Sequence, residues 1–260
     1  MRDPYRELAP LYDLMTADPG IQALYKEWRR SMLDAAAAHG IRPRVVVDLA
    51  CGTGNTAIPW AGPRGRTVIG VDVSEAMLRC ARRKSARVRW VRQNLTACRL
   101  DVQADLVTCQ FDALNHLLDA GDLARVFARV ARLLRPGGLF QFDLNTRYML
   151  EWLATSEKLF RAGPHVFTAY NALDPKTGIA TFNQLWFVRE GRLYRKVLVS
   201  VRTRSYEDAG VRRMLRAAGL RLERVLVMRR LNGRPIRKLY VALKPPAAAP
   251  TLSARRRRRP

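Results

Sequence analysis

Val45-Val46-Val47-Asp48-Leu49-Ala50-Cys51-Gly52-Thr53-Gly54-Asn55-Thr56-Ala57 decides the fold of this 260-residue chain. Consecutive β-branched residues and a leucine suit a strand buried on both faces, and this one carries a carboxylate near its end. Gly52-x-Gly54 then lets the backbone turn sharply and lets a ligand approach to van der Waals distance. A helix is expected next, its free amides turned towards a ligand's negative group, with Pro59 early enough to be tolerated. Thr67–Asp72 reads as a second strand, and the run Val68-Ile69-Gly70-Val71-Asp72-Val73 places an acid at its end. An acid at that strand's end accepts hydrogen bonds from both hydroxyls of a ribose, so the ligand expected is a nucleoside. Two other readings stay open. Gly52-x-Gly54-x-x-Ala57 also satisfies the dinucleotide fingerprint, and Asp72 is also placed to cap the next helix in competition with Ser74.

The same pattern continues on either side. Val88–Val91, Leu106–Phe111 and Leu139–Leu144 are further short apolar runs of the kind parallel strands carry when covered on both faces. Helical stretches separate them. Asp18-Pro19 starts one whose apolar positions run from Ile21 to Ala36 before Gly40 ends it. Ser74 caps another through Met77 and Cys80. A third, with Leu123, Val126, Phe127, Val130, Leu133 and Leu134 in one stripe, is terminated by Pro136-Gly137-Gly138. Strand–helix–strand repetition specifies a doubly wound α/β sheet.

From about residue 165 the period changes. Residues 165–173, 179–190 and 193–204 read as antiparallel strands, with turns at Pro175–Gly178 and Gly191. In the last of them Leu193, Val197, Val199 and Val201 share one face, and Tyr194, Lys196, Ser200 and Arg202 the other. Ser205 with Asp208 has the spacing of a capping box. Strands near 221–229 and 237–243 return to the main sheet. The expected organisation is a core of residues 1–145 and 205–244, a β-rich insertion at 146–204, and a disordered basic tail at 245–260.

Composition sets outer bounds. Hydrophobic residues are 48% of the chain, enough for a sizeable core. Lys+Arg 47 against Asp+Glu 22 leaves a net charge of +25, five units of it in Arg255–Arg259. Such a charge draws the protein to polyanions without bearing on the fold. Cys51, Cys80, Cys98 and Cys109, with His39, His116 and His165, show no paired-ligand spacing, so no zinc site or disulfide framework is expected. No apolar run reaches the ~18 residues of a membrane span, and the expected location is the cytoplasm.

Asp48-Leu49-Ala50-Cys51-Gly52-Thr53-Gly54-Asn55, Gly70-Val71-Asp72-Val73-Ser74-Glu75-Ala76-Met77-Leu78 and Leu134-Arg135-Pro136-Gly137-Gly138 resemble three ordered motifs of class I S-adenosylmethionine-dependent methyltransferases. The resemblance spans roughly residues 40–145 and implies a Rossmann-like seven-stranded sheet with a reversed last strand, here with a small antiparallel insertion. It implies S-adenosyl-L-methionine as cofactor. Asp48 would then organise the methionine amino group, and Ala50, Gly52 and Gly54 would pass close to the methionine portion. Asp72 would bind the ribose, while Val73 and Met77 would flank the adenine. Asn94-Leu95 stands where many relatives have an Asp reading the adenine amine, and an Asn carbonyl can still accept that bond. Phe111 would sit by the methyl donor. Tyr5–Asp13 resembles the segment that closes over the cofactor in small-molecule members, with Tyr12 as its lid residue. His116 and Asp112, at the rim after the fourth strand, are the candidates for acid–base work. Phe167, Tyr170, Phe182, Trp186, Phe187 and Tyr194 of the insertion are candidates for an acceptor pocket.

The function expected is methyl transfer to a small-molecule N or O nucleophile. An RNA-directed methyltransferase, an NAD-linked oxidoreductase and a non-catalytic nucleoside-binding module are the alternatives. No RNA-binding motif precedes Asp48 or follows Gly219, so polyanion binding through Arg255–Arg259 should be nonspecific. RNA affinity measured in a filter or anisotropy assay should be indifferent to sequence and fall steeply between about 50 and 200 mM salt. It should drop when residues 247–260 are deleted. Methylation of one RNA position that persists without the tail would defeat the small-molecule reading.

Overall fold

Val45–Leu49 (β1) lies between Thr67–Asp72 (β2) and Ala104–Cys109 (β4) in a computed structural model describing residues 3, 5–62, 64–156 and 158–246. Val47 pairs with Ile69 on one side and Val107 on the other, both in parallel register. Arg89–Arg92 (β3) closes one edge. On the other side follow Leu134–Asn145 (β5), Arg234–Leu243 (β11) and Arg221–Leu231 (β10). The seven-stranded order is β10-β11-β5-β4-β1-β2-β3, and β11 runs antiparallel to both neighbours. The last strand is therefore the reversed one.

Alternation along β1 divides the core in two. Val47 and Leu49 face Leu123, Val126, Phe127 and Val130 of Ala120–Leu133 (α4), and Val211 and Leu215 of Asp208–Ala217 (α6). Val46 faces Met32 and Ala36 of Pro19–Ala38 (α2), Trp60, and Leu78 of Glu75–Lys84 (α3). The helix starts follow side-chain chemistry. Asp18 accepts from the amides of Gly20 and Ile21, and Ser74 Oγ accepts from Met77 N. Each satisfies amides that the first helical turn leaves without partners.

After Arg147–Ala154 (α5), a second sheet forms from Lys158–Ala162 (β6), His165–Leu173 (β7), Ile179–Glu190 (β8) and Leu193–Arg204 (β9), in that order. Three of these strands have the expected bounds; β6 was not foreseen. Trp186, Val197 and Val199 are buried against Leu8 and Leu11, which belong to or adjoin Ala9–Thr16 (α1). Tyr194 and Leu198 face outward. Leu193, expected beside the buried valines, is 76% exposed because it lies at the end of β9, outside the buried cluster under α1. No helix among the described residues is long and apolar enough to cross a membrane.

Local expectations needed correction at several points. The glycine turn leads into a four-residue 3-10 segment, Ile58–Ala61, instead of an α-helix. Pro59 has no N–H to continue a ladder, and Gly62-Pro63 follows at once. The third strand begins one residue later than expected, and the fourth spans Ala104–Cys109, leaving Phe111 in the following loop. Leu134 belongs to β5, which already includes the Pro-Gly-Gly run. Ser205 does not cap α6. The cap position is Glu207, and the Asp208 carboxylate accepts from Lys238 Nζ and Tyr240 Oη, so it is not free to reach back to Ser205. Residues 247–260, including Arg255–Arg259, lie outside the described residues.

Gly70 is needed for packing. A Cβ there would come within 2.4 Å of the Trp90 ring and 3.0 Å of Cys51 Sγ, and the Trp90 indole is held by a bond from Nε1 to Ser85 O (3.0 Å). Gly70→Ala should cost about 1–3 kcal/mol in denaturant unfolding by overpacking. Combined with Trp90→Leu, the cost should be less than the sum of the single changes. Additive costs would show that the indole is not what excludes the methyl group.

Candidate active site

The turn after β1 is built from backbone conformations that L side chains rarely adopt. Ala50, Gly52 and Gly54 have φ of 52°, 53° and 87°. Three hydrogen bonds hold it: Cys51 N to Val71 O (3.0 Å), Gly54 N to Cys51 O (2.8 Å), and Gly52 N to Asp72 Oδ2 (2.8 Å). The two glycines do different work. A Cβ on Gly52 would meet nothing within 4 Å, so this backbone borders open space. A Cβ on Gly54 would lie 2.5 Å from Trp90, so that position clears room for an indole instead of a ligand.

Asp48 is fully buried beneath this turn, and Thr56 and Thr108 each donate a hydroxyl to it at 2.6 Å. Burial pushes its pKa up to about 6 against those two bonds. At the end of β2, Asp72 accepts from Gly52 N and, through Oδ1, from Ser74 N (both 2.8 Å). Burial raises its pKa too, opposed by those amides. Ser74, not Asp72, supplies the helix cap, and Asp72 braces the loop in front of it. Val73 is 60% exposed, whereas Met77 is buried with Ala9 and packs against Tyr5 and Tyr12. Asn94 turns its carbonyl inward on its own loop, accepting from Thr96 N (3.0 Å) and Thr96 Oγ1 (2.9 Å), so both lone pairs are taken. Leu95 begins the short 3-10 turn that follows.

The N-terminal segment closes over this end of the sheet. Asp13 accepts from Thr53 Oγ1 (2.5 Å), Asn55 Nδ2 (3.0 Å) and Lys84 Nζ (2.8 Å). Ser74 Oγ donates to Asp3 (2.6 Å), and Tyr5 Oη meets His116 Nε2 at 3.1 Å. Tyr12 stands edge-on to Phe111, with centroids 6.4 Å apart. Tyr12 is therefore brought to the site, beside Met77 and Phe111.

Phe111 and Asp112 are consecutive left-handed residues, with φ of 63° and 51°. A buried ion cluster holds them there. Arg237 donates to Asp112 Oδ1 (2.8 Å) and to Asp143 Oδ2, which also accepts from Asp112 N (3.1 Å). The guanidinium lies 5.4 Å from the Phe111 ring centroid and 5.8 Å from that of Trp28. Asn115 ties the same loop to Asn145 and Arg204. The sequence reading missed Arg237 and Asp143. The signal was Asp143, the one charged residue in the Leu139–Leu144 run, where a buried carboxylate needs a counter-ion. Of the insertion aromatics, Trp186 and Phe167 are buried under α1, Tyr170, Phe187 and Tyr194 are exposed, and Phe182 is half-buried.

Residues 46–138 match the family model described as a methyltransferase domain. A putative methyltransferase of Geobacillus is 31% identical over 153 residues, 56% of this chain and 60% of that one. The putative methyltransferase YqeM of Bacillus subtilis is 26% identical over 227 residues, covering 85% and 88%. A dTDP-3-amino-3,6-dideoxy-glucopyranose N,N-dimethyltransferase of Streptomyces fradiae is 31% identical over 136 residues, 51% of each chain. In fold, the chain resembles an S-adenosylmethionine-dependent methyltransferase from Clostridium acetobutylicum with a TM-score of 0.80, covering 94% of this chain and all of that one at 24% identity. Over residues 46–138 the chain resembles a methyltransferase domain, and its fold is that of an S-adenosylmethionine-dependent methyltransferase.

The residues of this turn leave room for that cofactor. Gly52 borders open space at the end of β1, and the Asp72 carboxylate beside it is of the chemistry that accepts hydrogen bonds from a ribose diol.

The raised pKa of Asp48 has a sign that can be checked. The native state keeps this proton where the unfolded chain, at 3.8, has released it. Stability therefore falls as pH rises from about 4 to about 6. In urea unfolding of the protein across that window, Asp48→Asn should remove up to roughly 3 kcal/mol of the decline. An unchanged slope would mean that Asp48 ionises normally.

Proposed function

We propose that the protein transfers the methyl group of S-adenosylmethionine to a nitrogen or oxygen nucleophile of a small molecule. The observation that carries this reading is the enclosure of the site. The end of the sheet that holds Asp72, Phe111 and His116 is covered by residues 3–16, and the second sheet packs on that cover. A long polyanion needs an open groove, whereas a small acceptor suits a closed one. The amino-sugar methyltransferase among the relatives is consistent with such an acceptor.

Asp72 holds the ribose with the lone pairs its amide bonds leave free. Gly52 lets the methionine portion approach, Ala50 and Gly54 shape the same turn, and Asp48 orients the methionine amino group from below. Val73 and Met77 flank the adenine, and Leu95 borders it. Asn94, with its carbonyl occupied, has its amide N–H groups left to offer the base. Phe111 and Tyr12 wall the reacting centre. The bound sulfonium supplies an already activated methyl group. What remains for the protein is to exclude water and to hold the nucleophile near and in line. His116 is the group that takes a proton, and Asp112 supports its charge. Burial keeps the imidazole's pKa below its ordinary value, opposed by Asp112 and by a bond with the Arg202 backbone, so it is neutral and receptive at pH 7.

Calorimetric titration should show binding of S-adenosylmethionine and its demethylated product and none of NAD; the opposite result defeats this reading. Asp72→Asn keeps the shape and one carbonyl acceptor while removing the charge, which Asp72→Ala would not do. It should weaken cofactor binding about 10- to 100-fold, the loss expected for a charge-assisted hydrogen bond. Unchanged affinity in a folded variant would remove Asp72 from the ribose site. Turnover of labelled methyl groups against amines, hydroxy compounds, thiols, carboxylates and RNA identifies the acceptor.

A further inference from the structure

The lid's first aromatic residue lies between two acids of the site and against its histidine. Tyr5 Oη is 3.1 Å from His116 Nε2, and the rings meet edge to face with centroids 6.0 Å apart. Asp72, Asp112 and Asp3 all face the phenol closely enough to disfavour its ionisation, and burial does so more strongly. Tyr5 thus keeps its proton and has a phenol to donate. On the histidine side, the bond with the Arg202 backbone favours the charged imidazole, as a bond given by the ring does. Nε2 faces the phenol, and in the tautomer with its proton on Nδ1 it is the ring's bare nitrogen and accepts from Tyr5. The phenol oxygen retains a lone pair, and both residues are only part-exposed in a site otherwise enclosed by protein.

We propose that Tyr5 and His116 form a proton relay in which Tyr5 faces the acceptor and His116 acts through it. The acceptor is therefore of the class whose nucleophile arrives protonated, an ammonium or hydroxyl group and not a carboxylate. This rests on the methyl-transfer reading above. For an amine, the N–CH3 bond forms as the S–CH3 bond breaks, and the bonding pair stays on sulfur. Before that bond forms, the ammonium's proton passes to Tyr5 Oη while the tyrosine's own proton passes to His116 Nε2, which frees the nitrogen lone pair for attack. The imidazolium, steadied by Asp112, then releases that proton to solvent. Because Tyr5 belongs to the cover and His116 to the core, the relay exists only when the cover is down.

The relay has three readouts. In protein labelled with 15N-histidine, His116 should carry its proton on Nδ1, and Tyr5→Phe should shift the bare Nε2 resonance. A proton on Nε2 in the wild type overturns the relay whether or not an acceptor is known. In labelled-methyl assays with a primary alkylamine, a phenol and an aliphatic carboxylate as probes, amine or phenol transfer should fall about 10²-fold in both Tyr5→Phe and His116→Asn. The acidic limb of the dependence of kcat/KM on pH, set by His116, should move in Tyr5→Phe, while S-adenosylmethionine affinity stays within twofold in both variants. Carboxylate transfer, or amine transfer that Tyr5→Phe leaves unchanged, overturns the relay. Failure of the wild type to bind S-adenosylmethionine overturns the methyl-transfer reading and the relay with it. Normal binding combined with the wrong histidine tautomer overturns the relay alone.

Discussion

The bond from the Gly52 amide to the Asp72 carboxylate joins two strand ends that the sheet itself does not fix. Parallel strands align β1 and β2, but beyond the last ladder bond each chain is free to leave in any direction. One carboxylate oxygen captures the turn that follows β1 and the other captures the loop that begins α3. Hydrogen bonds to a charged acceptor contribute roughly 1.5–3 kcal/mol each, enough to hold a turn with three left-handed residues in its folded shape. In the proposed function the same carboxylate also receives the ribose, so that one side chain serves both scaffold and ligand.

A second constraint comes from the other rim. Arg237 is the counter-ion that lets Asp112 and Asp143 lie within the same small volume, and the left-handed Phe111–Asp112 step persists because of it. Burial lifts the Asp143 pKa to about 6 even so, because desolvation outweighs the guanidinium beside it. Charge is kept inside a strand pair that could have been wholly apolar. Its effect is to fix one loop in one conformation, and His116 is part of that loop.

Much of this was legible in the sequence because parallel strands and capped helices depend on local patterns. Val45–Leu49, Thr67–Asp72 and Pro19–Ala38 are set by neighbours a few residues away. The glycine turn was legible as a turn, but the different surroundings of Gly52 and Gly54 were not, since only the fold brings Trp90 over one of them. The Arg237 cluster joins residues far apart in the chain, and no spacing rule connects them. The insertion's aromatics looked like a pocket lining; most proved to be core for α1 or outward-facing, a distinction that depends on which face the cover takes.

The cover itself reverses the usual order of assembly. Residues 3 and 5–16 precede all their partners in the chain, and those partners are widely spread: Ser74, His116, Trp186, and Arg195, which pairs with Glu7 at 3.3 Å. Contacts of such long sequence separation form late, because the loops they close must be organised first. This segment must therefore wait, without its buried leucines covered, until β9 has emerged. During translation the segment's apolar face stays open to capture by chaperones until the second sheet is there to receive it.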